Sequence, residues 1–287
     1  MSAWTAARHA LETAGLESPV IDARLLVEAA ANATRTQIVS DPQRLLTAEQ
    51  SEALAAMLRR RLNREPVSQI LGAKGFWKII LKVTPDVLTP RPETETILDV
   101  VLPALGEESP ARVLDLGVGS GAILLAILAE RPLASGVGVD VSLDALGVAR
   151  ENAAALGLPD RVELRRGDWA AGLEGESFDV VVCNPPYIRT GDIAGLQPEV
   201  RDHEPRLALD GGEDGLAAYR SLAQPILRVL KPGGLFALEV GVGQARAVQG
   251  LMQEAGAMHT AVQNDLSAKA RVVWGRKKGL DKGSSDG

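Results

Sequence analysis

Asp115-Leu116-Gly117-Val118-Gly119-Ser120-Gly121-Ala122 follows a short run of β-formers, Val113 to Leu116, and opens an apolar helical stretch. Glycines at such a junction let the backbone turn tightly and approach a ligand beside the exposed amides of a helix N-terminus. Outward from this loop, β-rich runs at Gly136–Asp140, Val162–Leu164, Phe178–Cys183 and Leu235–Val240 alternate with helical stretches. That alternation implies βαβ units and a parallel sheet covered on both faces. Two further runs, His259–Gln263 and Arg271–Trp274, are expected to add an antiparallel edge.

The loop alone suits two cofactors. Gly117, Gly119 and Ala122 satisfy the dinucleotide pattern with alanine in the last place, and Asp140 ends the next strand where a ribose hydroxyl pair wants a carboxylate. Both features fit a nicotinamide cofactor and S-adenosylmethionine equally. Two details favour the second. Asp115 stands just before the first glycine, where a carboxylate suits an ammonium and would repel a pyrophosphate. Gly167-Asp168-Trp169 follows the third strand, where a polar side chain and an aromatic ring can bracket an adenine.

The strand Phe178–Cys183 runs directly into Asn184-Pro185-Pro186-Tyr187. Two prolines stiffen this loop, because each fixes its own φ and restricts the residue before it. The Asn184 side-chain oxygen and the Pro185 carbonyl can each accept a hydrogen bond from a planar –NH2 group, with Tyr187 packed beside it. Cys183 reads as a buried strand residue rather than a nucleophile, and His9, His203 and His259 show no metal-ligand spacing.

The N-terminal residues read as helices. Ser18-Pro19 is an N-cap followed by proline at the first helical position, with Val20, Ile21, Leu25, Leu26, Ala29 and Ala30 on one face. Thr47 and Gln50 have capping-box spacing ahead of Leu54, Leu58 and Leu62. The basic cluster Arg59, Arg60, Arg61 and Arg64 reads as a solvated helix end, or else as a patch that docks a partner. Phe76 to Val83 reads as a hairpin, Pro85, Pro90 and Pro92 as a stiff linker, and Glu93 and Glu95 as the start of another amphipathic helix.

The 287 residues carry 46% hydrophobic and 24% charged residues, ordinary for a globular protein, so wholesale disorder is excluded. A single cysteine excludes a disulfide framework and suits a reducing compartment. Lys+Arg 31 against Asp+Glu 37 gives a net charge of −6, which argues against a broad grip on nucleic acid. The N-terminal stretch has no apolar core of signal-peptide length, and no apolar run approaches the roughly 20 residues needed to cross a bilayer. A cytoplasmic protein without membrane or direct nucleic-acid contact is expected.

With these motifs in hand, the chain resembles the class I S-adenosylmethionine-dependent methyltransferases. More narrowly it resembles the PrmC/HemK family, the protein-glutamine N5-methyltransferases that modify peptide chain release factors. The resemblance runs from the helical N-terminal region through Leu71-Gly72-Ala73-Lys74-Gly75-Phe76-Trp77 and Leu88-Thr89-Pro90-Arg91-Pro92-Glu93-Thr94-Glu95. It continues through the glycine loop and Asn184-Pro185-Pro186-Tyr187-Ile188 to Glu199–Pro205 and Gly211–Gly215. It implies an α/β, Rossmann-like class I methyltransferase sheet with a small N-terminal helical domain. The implied divisions are a substrate-recognition domain at 1–72, a hairpin and linker at 73–92, a catalytic domain at 93–277 and a disordered tail at 278–287.

Carried over position by position, the resemblance implies that Gly117 to Gly121 line the cofactor, Asp140 holds its ribose, and Asp168 with Trp169 flank the adenine. Asn184, Pro185, Pro186 and Tyr187 would hold the glutamine carboxamide of the release factor's Gly-Gly-Gln loop. The expected product is S-adenosylhomocysteine and the expected state a monomer. Two departures stand out: Val118 where the family usually has threonine, and Asp202-His203 where a pair containing an aromatic is common. Glutamine methylation of a ribosomal protein, an exocyclic amine in nucleic acid, a nicotinamide-dependent oxidoreductase and a non-catalytic module remain the alternatives.

Overall fold

Helices alone build the N-terminal part of the chain, and a mixed sheet dominates the rest. The computed structural model describes residues 2–41, 43–108 and 110–279, so the tail expected at 278–287 lies outside the described residues from 280 on. Two units divide the chain: residues 1–73 with 197–203, and residues 74–196 with 204–287.

The first unit holds α1 (Ala3–Thr13), α2 (Pro19–Ala31), α3 (Arg35–Ser40), α4 (Ala48–Leu62) and α5 (Val67–Leu71). The capping box of α4 forms: Gln50 N–H donates to Thr47 Oγ1 at 3.2 Å and Thr47 N–H donates to Gln50 Oε1 at 3.1 Å. Ser18 is the N-cap of α2 with Pro19 behind it, but its side chain makes no cap bond.

The buried face of α2 is rotated from the one its apolar pattern suggests. Val20 and Ile21 are 47% and 54% exposed, while Asp22, Ala23, Leu26, Val27 and Ala30 point inward. An ion pair explains the rotation. Arg61 of α4 is buried, and its guanidinium donates to Asp22 Oδ2 at 2.7 Å and to Glu199 Oε1 at 3.0 Å. A charge that reaches the interior needs such partners. The basic cluster is therefore divided: Arg61 is buried, Arg64 is half-buried, and Arg59 and Arg60 remain exposed at the helix end. Arg60 pairs with Glu65, and Arg64 reaches Glu199 and the Ala14 carbonyl.

In the second unit β1 (Ala73–Phe76), whose first residue is counted with the helical unit, pairs with β2 (Ile79–Lys82) as the expected hairpin. A 3-10 turn, Pro92–Glu95, precedes α6 (Thr96–Ala104). Then follow β3 (Arg112–Leu116), α7 (Ala122–Glu130), β4 (Ser135–Asp140), α8 (Leu143–Ala155), β5 (Val162–Arg166) and β6 (Phe178–Cys183). After α9 (Pro198–Arg201), a single turn counted with the first unit, come α10 (Ala217–Val229), β7 (Leu230–Glu239), α11 (Ala245–Glu254), β8 (Ala257–Asn264) and β9 (Ala270–Lys277).

The strands form one seven-stranded sheet in the order β5-β4-β3-β6-β7-β9-β8. Strands β3 to β7 run parallel, and β9 and β8 add the antiparallel edge. One apolar cluster packs α6, α7, α8 and the hairpin on one face, and a second packs α10 and α11 on the other. Strand β7 starts earlier than its apolar run, at Leu230 opposite Phe178, and a bulge absorbs Lys231-Pro232-Gly233-Gly234 before Leu235 meets Val180. Ligands of open α/β sheets bind beyond the carboxyl ends of such strands, and here those ends carry the glycine loop, Asp140 and Asn184. Among the described residues no helix is long and apolar enough to cross a membrane.

Candidate active site

The glycine loop is fastened to the end of β4. Gly117 and Val118 donate their N–H groups to the Val139 carbonyl, and Gly119 N–H donates to Asp140 Oδ2 at 2.9 Å. Ser142 N–H takes the other Asp140 oxygen at 3.0 Å. Each carboxylate oxygen keeps a lone pair for a further donor. Gly121 closes the loop at φ 85°, and a Cβ there would meet Leu125 Cδ1 at 2.8 Å, so only glycine fits.

Beneath the loop Asp115 is buried, and its Oδ2 accepts the Leu124 N–H of α7 at 3.3 Å. Burial pushes its carboxyl up to about 7, against the pull of the Leu124 amide and with help from the neighbouring charge of Asp140. Its Oδ1 is buried without a hydrogen bond.

A cavity of about 440 Å³ opens beside the loop, a size suited to a small-molecule cofactor. Of the residues singled out in the sequence, Gly117, Val118, Gly119, Ser120, Asp140, Asp168, Trp169, Asn184 and Pro186 line it. Asp115, Gly121, Pro185 and Tyr187 are not on its wall. Trp169 adopts a φ of 52°, a strained value for so large a residue, and its ring faces Gly117. Thr94, Arg91 and Leu207 also line the cavity, and Arg91 is held by the buried Glu204 at 2.6 Å.

The Asn184–Tyr187 turn is gripped from behind. Gly211 packs so closely that a Cβ would meet Tyr187 Cα at 2.7 Å and the Pro186 carbonyl at 2.8 Å. The Gln244 side-chain amide donates to the carbonyls of Tyr187 at 2.9 Å and Gly215 at 3.2 Å, while its oxygen accepts Gly241 N–H at 3.0 Å. The Tyr187 hydroxyl turns inward and donates to Glu239 Oε1 at 3.2 Å. Burial and the adjacent Glu239 charge push the Tyr187 phenol up, so it stays protonated. Asn184 donates its Nδ2 to Thr94 Oγ1 at 3.2 Å. Cys183 is fully buried, and burial with the surrounding carboxylates raises its thiol well above the ordinary value. A thiol held neutral is no nucleophile.

Sequence reasoning passed over Thr94, Glu239 and Gln244. Thr94 lies inside the Leu88–Glu95 segment that carries part of the family resemblance. Glu239 is the one charge in Leu235–Val240, a signal of its own inside a strand flanked on both sides. Gln244 left no such mark.

Solved structures similar to the chain in shape include methyltransferases. One from Pyrococcus furiosus covers 78% of this chain and 99% of its own, with TM-score 0.50 and 16% identity. A 16S rRNA N2 methyltransferase from T. thermophilus, in complex with AdoMet and guanosine, covers 72% of this chain and 50% of its own, with TM-score 0.52 and 22% identity. The fold is that of the class I methyltransferases. Two family profiles match the chain, the PrmC N-terminal domain over residues 2–72 and the methyltransferase small domain over residues 96–200. The release factor glutamine methyltransferase of Caulobacter vibrioides is 60% identical over 98% of this chain and 97% of its own length. That of Rhodospirillum rubrum is 46% identical over 93% and 82%, and that of Agrobacterium fabrum 43% identical over 95% of each. The chain belongs to the release factor glutamine methyltransferase family.

Proposed function

We propose that this protein transfers a methyl group from S-adenosylmethionine to the side-chain amide nitrogen (N5) of the glutamine in the Gly-Gly-Gln motif of peptide chain release factors. The observation that carries the reading is one cavity lined both by the glycine loop, Asp140 and Trp169 and by Asn184 and Pro186.

The residues present fit the methyl donor. The cavity has the volume, Asp140 has free lone pairs for ribose hydroxyls, and Trp169 offers a ring to an adenine. At the root of the loop, Asp115 Oδ1 is a buried acceptor without a hydrogen bond, the kind of group an ammonium nearby would hold ionised. When bound, S-adenosylmethionine supplies a methyl carbon on a positively charged sulfur that leaves with the bonding electron pair.

The chain's own part is placement. Asn184 Oδ1, on the cavity wall, accepts an N–H of the glutamine carboxamide and turns its nitrogen toward the donor; the Pro185 carbonyl expected to take the other lies behind that wall. A planar amide nitrogen is a poor nucleophile, so near-attack orientation supplies most of the acceleration. The stiffness of Pro185-Pro186 and the grip of Gln244 on the Tyr187 carbonyl limit movement of that turn. The nitrogen sheds its proton to water only as its new bond to carbon forms, so no strong base need act first. Residues 1–72 are assigned the grip on the body of the release factor, a reading supported by the PrmC N-terminal profile. Arg61 and Arg64 are engaged by Asp22 and Glu199, which leaves the exposed Arg59 and Arg60 as the members of the cluster open to such a contact.

Intact-mass analysis of a purified release factor incubated with the protein and S-adenosylmethionine tests the reading. A gain of one methyl on the Gly-Gly-Gln glutamine is expected. An unmodified release factor, or a methyl gained by a ribosomal protein instead, would overturn it.

A further inference from the structure

Asn184 can hold a substrate carboxamide only if its own amide is the right way round. Its oxygen must face the substrate –NH2, which requires its nitrogen to face elsewhere. In the structure Asn184 Nδ2 donates to Thr94 Oγ1 at 3.2 Å. A hydroxyl that accepts this bond keeps its own proton for another acceptor. Glu239, buried at the end of β7, has its charged form favoured by the Thr94 hydroxyl and by the Tyr187 hydroxyl, which donates to its Oε1 at 3.2 Å. Glu239 Oε1 takes the Tyr187 hydroxyl, and Oε2 is buried without a formed hydrogen bond.

We infer that Thr94 and Glu239 are positioning residues that set the polarity of the Asn184 amide. Glu239, acceptor only, draws the Thr94 proton inward; Thr94 therefore presents a lone pair to Asn184 Nδ2; and Asn184 Oδ1 is left to face the substrate. The Asn184-to-Thr94 bond is formed, and the open Oε2 of Glu239, whose Oε1 anchors the Tyr187 hydroxyl, is the acceptor assigned to the Thr94 proton. This gives the linker threonine and the strand-end carboxylate one shared task in the proposed transfer, on which the inference rests.

The alternative state is chemically specific. A glutamine at 239 would offer Thr94 an –NH2 donor, turn the hydroxyl proton toward Asn184, and so favour the flipped amide that points –NH2 at –NH2. Protonation of Glu239 does the same. Its surroundings are mixed: Arg271 of β9, Tyr187 and Thr94 favour the charge, while burial and Glu93 oppose it and hold the carboxyl up near neutrality. Cys183 of β6 and Tyr219 of α10 also face it as neutral groups, and the Tyr219 hydroxyl donates to the Glu239 backbone carbonyl at 2.8 Å.

The test compares the full-length protein with Thr94→Val, Thr94→Ser and Glu239→Gln, using an intact release factor as substrate. Thr94→Val and Glu239→Gln are expected to lower kcat about tenfold or more, the cost of a misoriented nucleophile. Affinity for S-adenosylhomocysteine, read by calorimetry, should stay within about threefold. Thr94→Ser, which keeps the hydroxyl, should restore kcat to within about threefold of the parent. The parent's kcat should rise with pH through neutrality as Glu239 ionises, and this limb should vanish in Glu239→Gln. Asp115 titrates in the same range in both proteins, so the difference between profiles isolates Glu239. Thr94→Val with the parent's kcat, or Thr94→Ser as impaired as Thr94→Val, would overturn the inference. Should Glu239→Gln not fold, the Thr94 pair decides alone. A parent protein inactive on release factor would instead overturn the proposed function, whatever the variants do.

Discussion

Asp140 accepts the Gly119 N–H at 2.9 Å, so the carboxylate proposed for the cofactor ribose is also the peg that shapes the glycine loop. Its second oxygen holds Ser142 N–H at the start of α8. Asp140→Ala should therefore damage binding twice, by loss of an acceptor and by loosening the loop. S-adenosylhomocysteine affinity is expected to fall at least about tenfold, with a stability loss of about 1–2 kcal/mol. Calorimetry and denaturant unfolding on one preparation check both.

Asn184→Ala should reduce methyl transfer about a hundredfold or more while S-adenosylhomocysteine affinity holds within several-fold. The reason is positional: Asn184 follows the end of β6, two strands from β4, which carries Asp140, and lines the same cavity. Radiolabelled methyl transfer to release factor gives the rate. Full activity would defeat the proposed role.

Gly211→Ala should impair activity more than its small size suggests, because the new methyl meets the Tyr187 and Pro186 backbone at 2.7 and 2.8 Å. Backbone cannot swing aside as a side chain can. Gly147→Ala is the control. It lies in α8 with open space around its Cβ position and should stabilise by about 0.5–1 kcal/mol without changing kcat.

What the sequence revealed follows the range of the interactions. The loop from Asp115 to Ala122 and the stiff Asn184–Tyr187 turn are local patterns, and each sits at a strand end as its flanking β-formers indicate. The α4 capping box is local too. The α2 face is not, because its rotation depends on Arg61, 39 residues away from Asp22. Glu199, 138 residues beyond Arg61, is further still, and nothing near the arginines announces it. The start of β7 at Leu230 lies before the expected run Leu235–Val240, because the ladder with β6 resumes only past an irregularity at Lys231–Gly234. Thr94 and Glu239 were missed for the same reason, since their meaning lies in facing Asn184 and Tyr187 across the fold.

Arg61→Ala should cost about 3–5 kcal/mol, since it strands Asp22 in the interior of the helical unit and leaves Glu199 with Arg64 alone. Urea unfolding followed by circular dichroism measures the loss. An effect below about 1 kcal/mol would mean the ion pair contributes as little as an exposed one.

Asp115 and Glu239 give the folded protein an unusual acid response. Burial raises both carboxyls to about 7, against an unfolded value near 4. Between those pH values the folded chain holds protons that the unfolded chain has released. Stability of the ligand-free protein should therefore decline as pH rises across that window and level off above it. Asp115→Asn should flatten the decline. Denaturant midpoints at about pH 5 and about pH 8 check this, and equal slopes in the two proteins would contradict it.

The most direct test is a structure of the protein with S-adenosylhomocysteine and a Gly-Gly-Gln peptide. The glutamine nitrogen is expected within hydrogen-bond reach of Asn184 Oδ1, about 3 Å, and directed at the sulfur, with Asn184 Nδ2 still on Thr94. A glutamine side chain seated away from Asn184, or a turn that faces away from the sulfur, would contradict it.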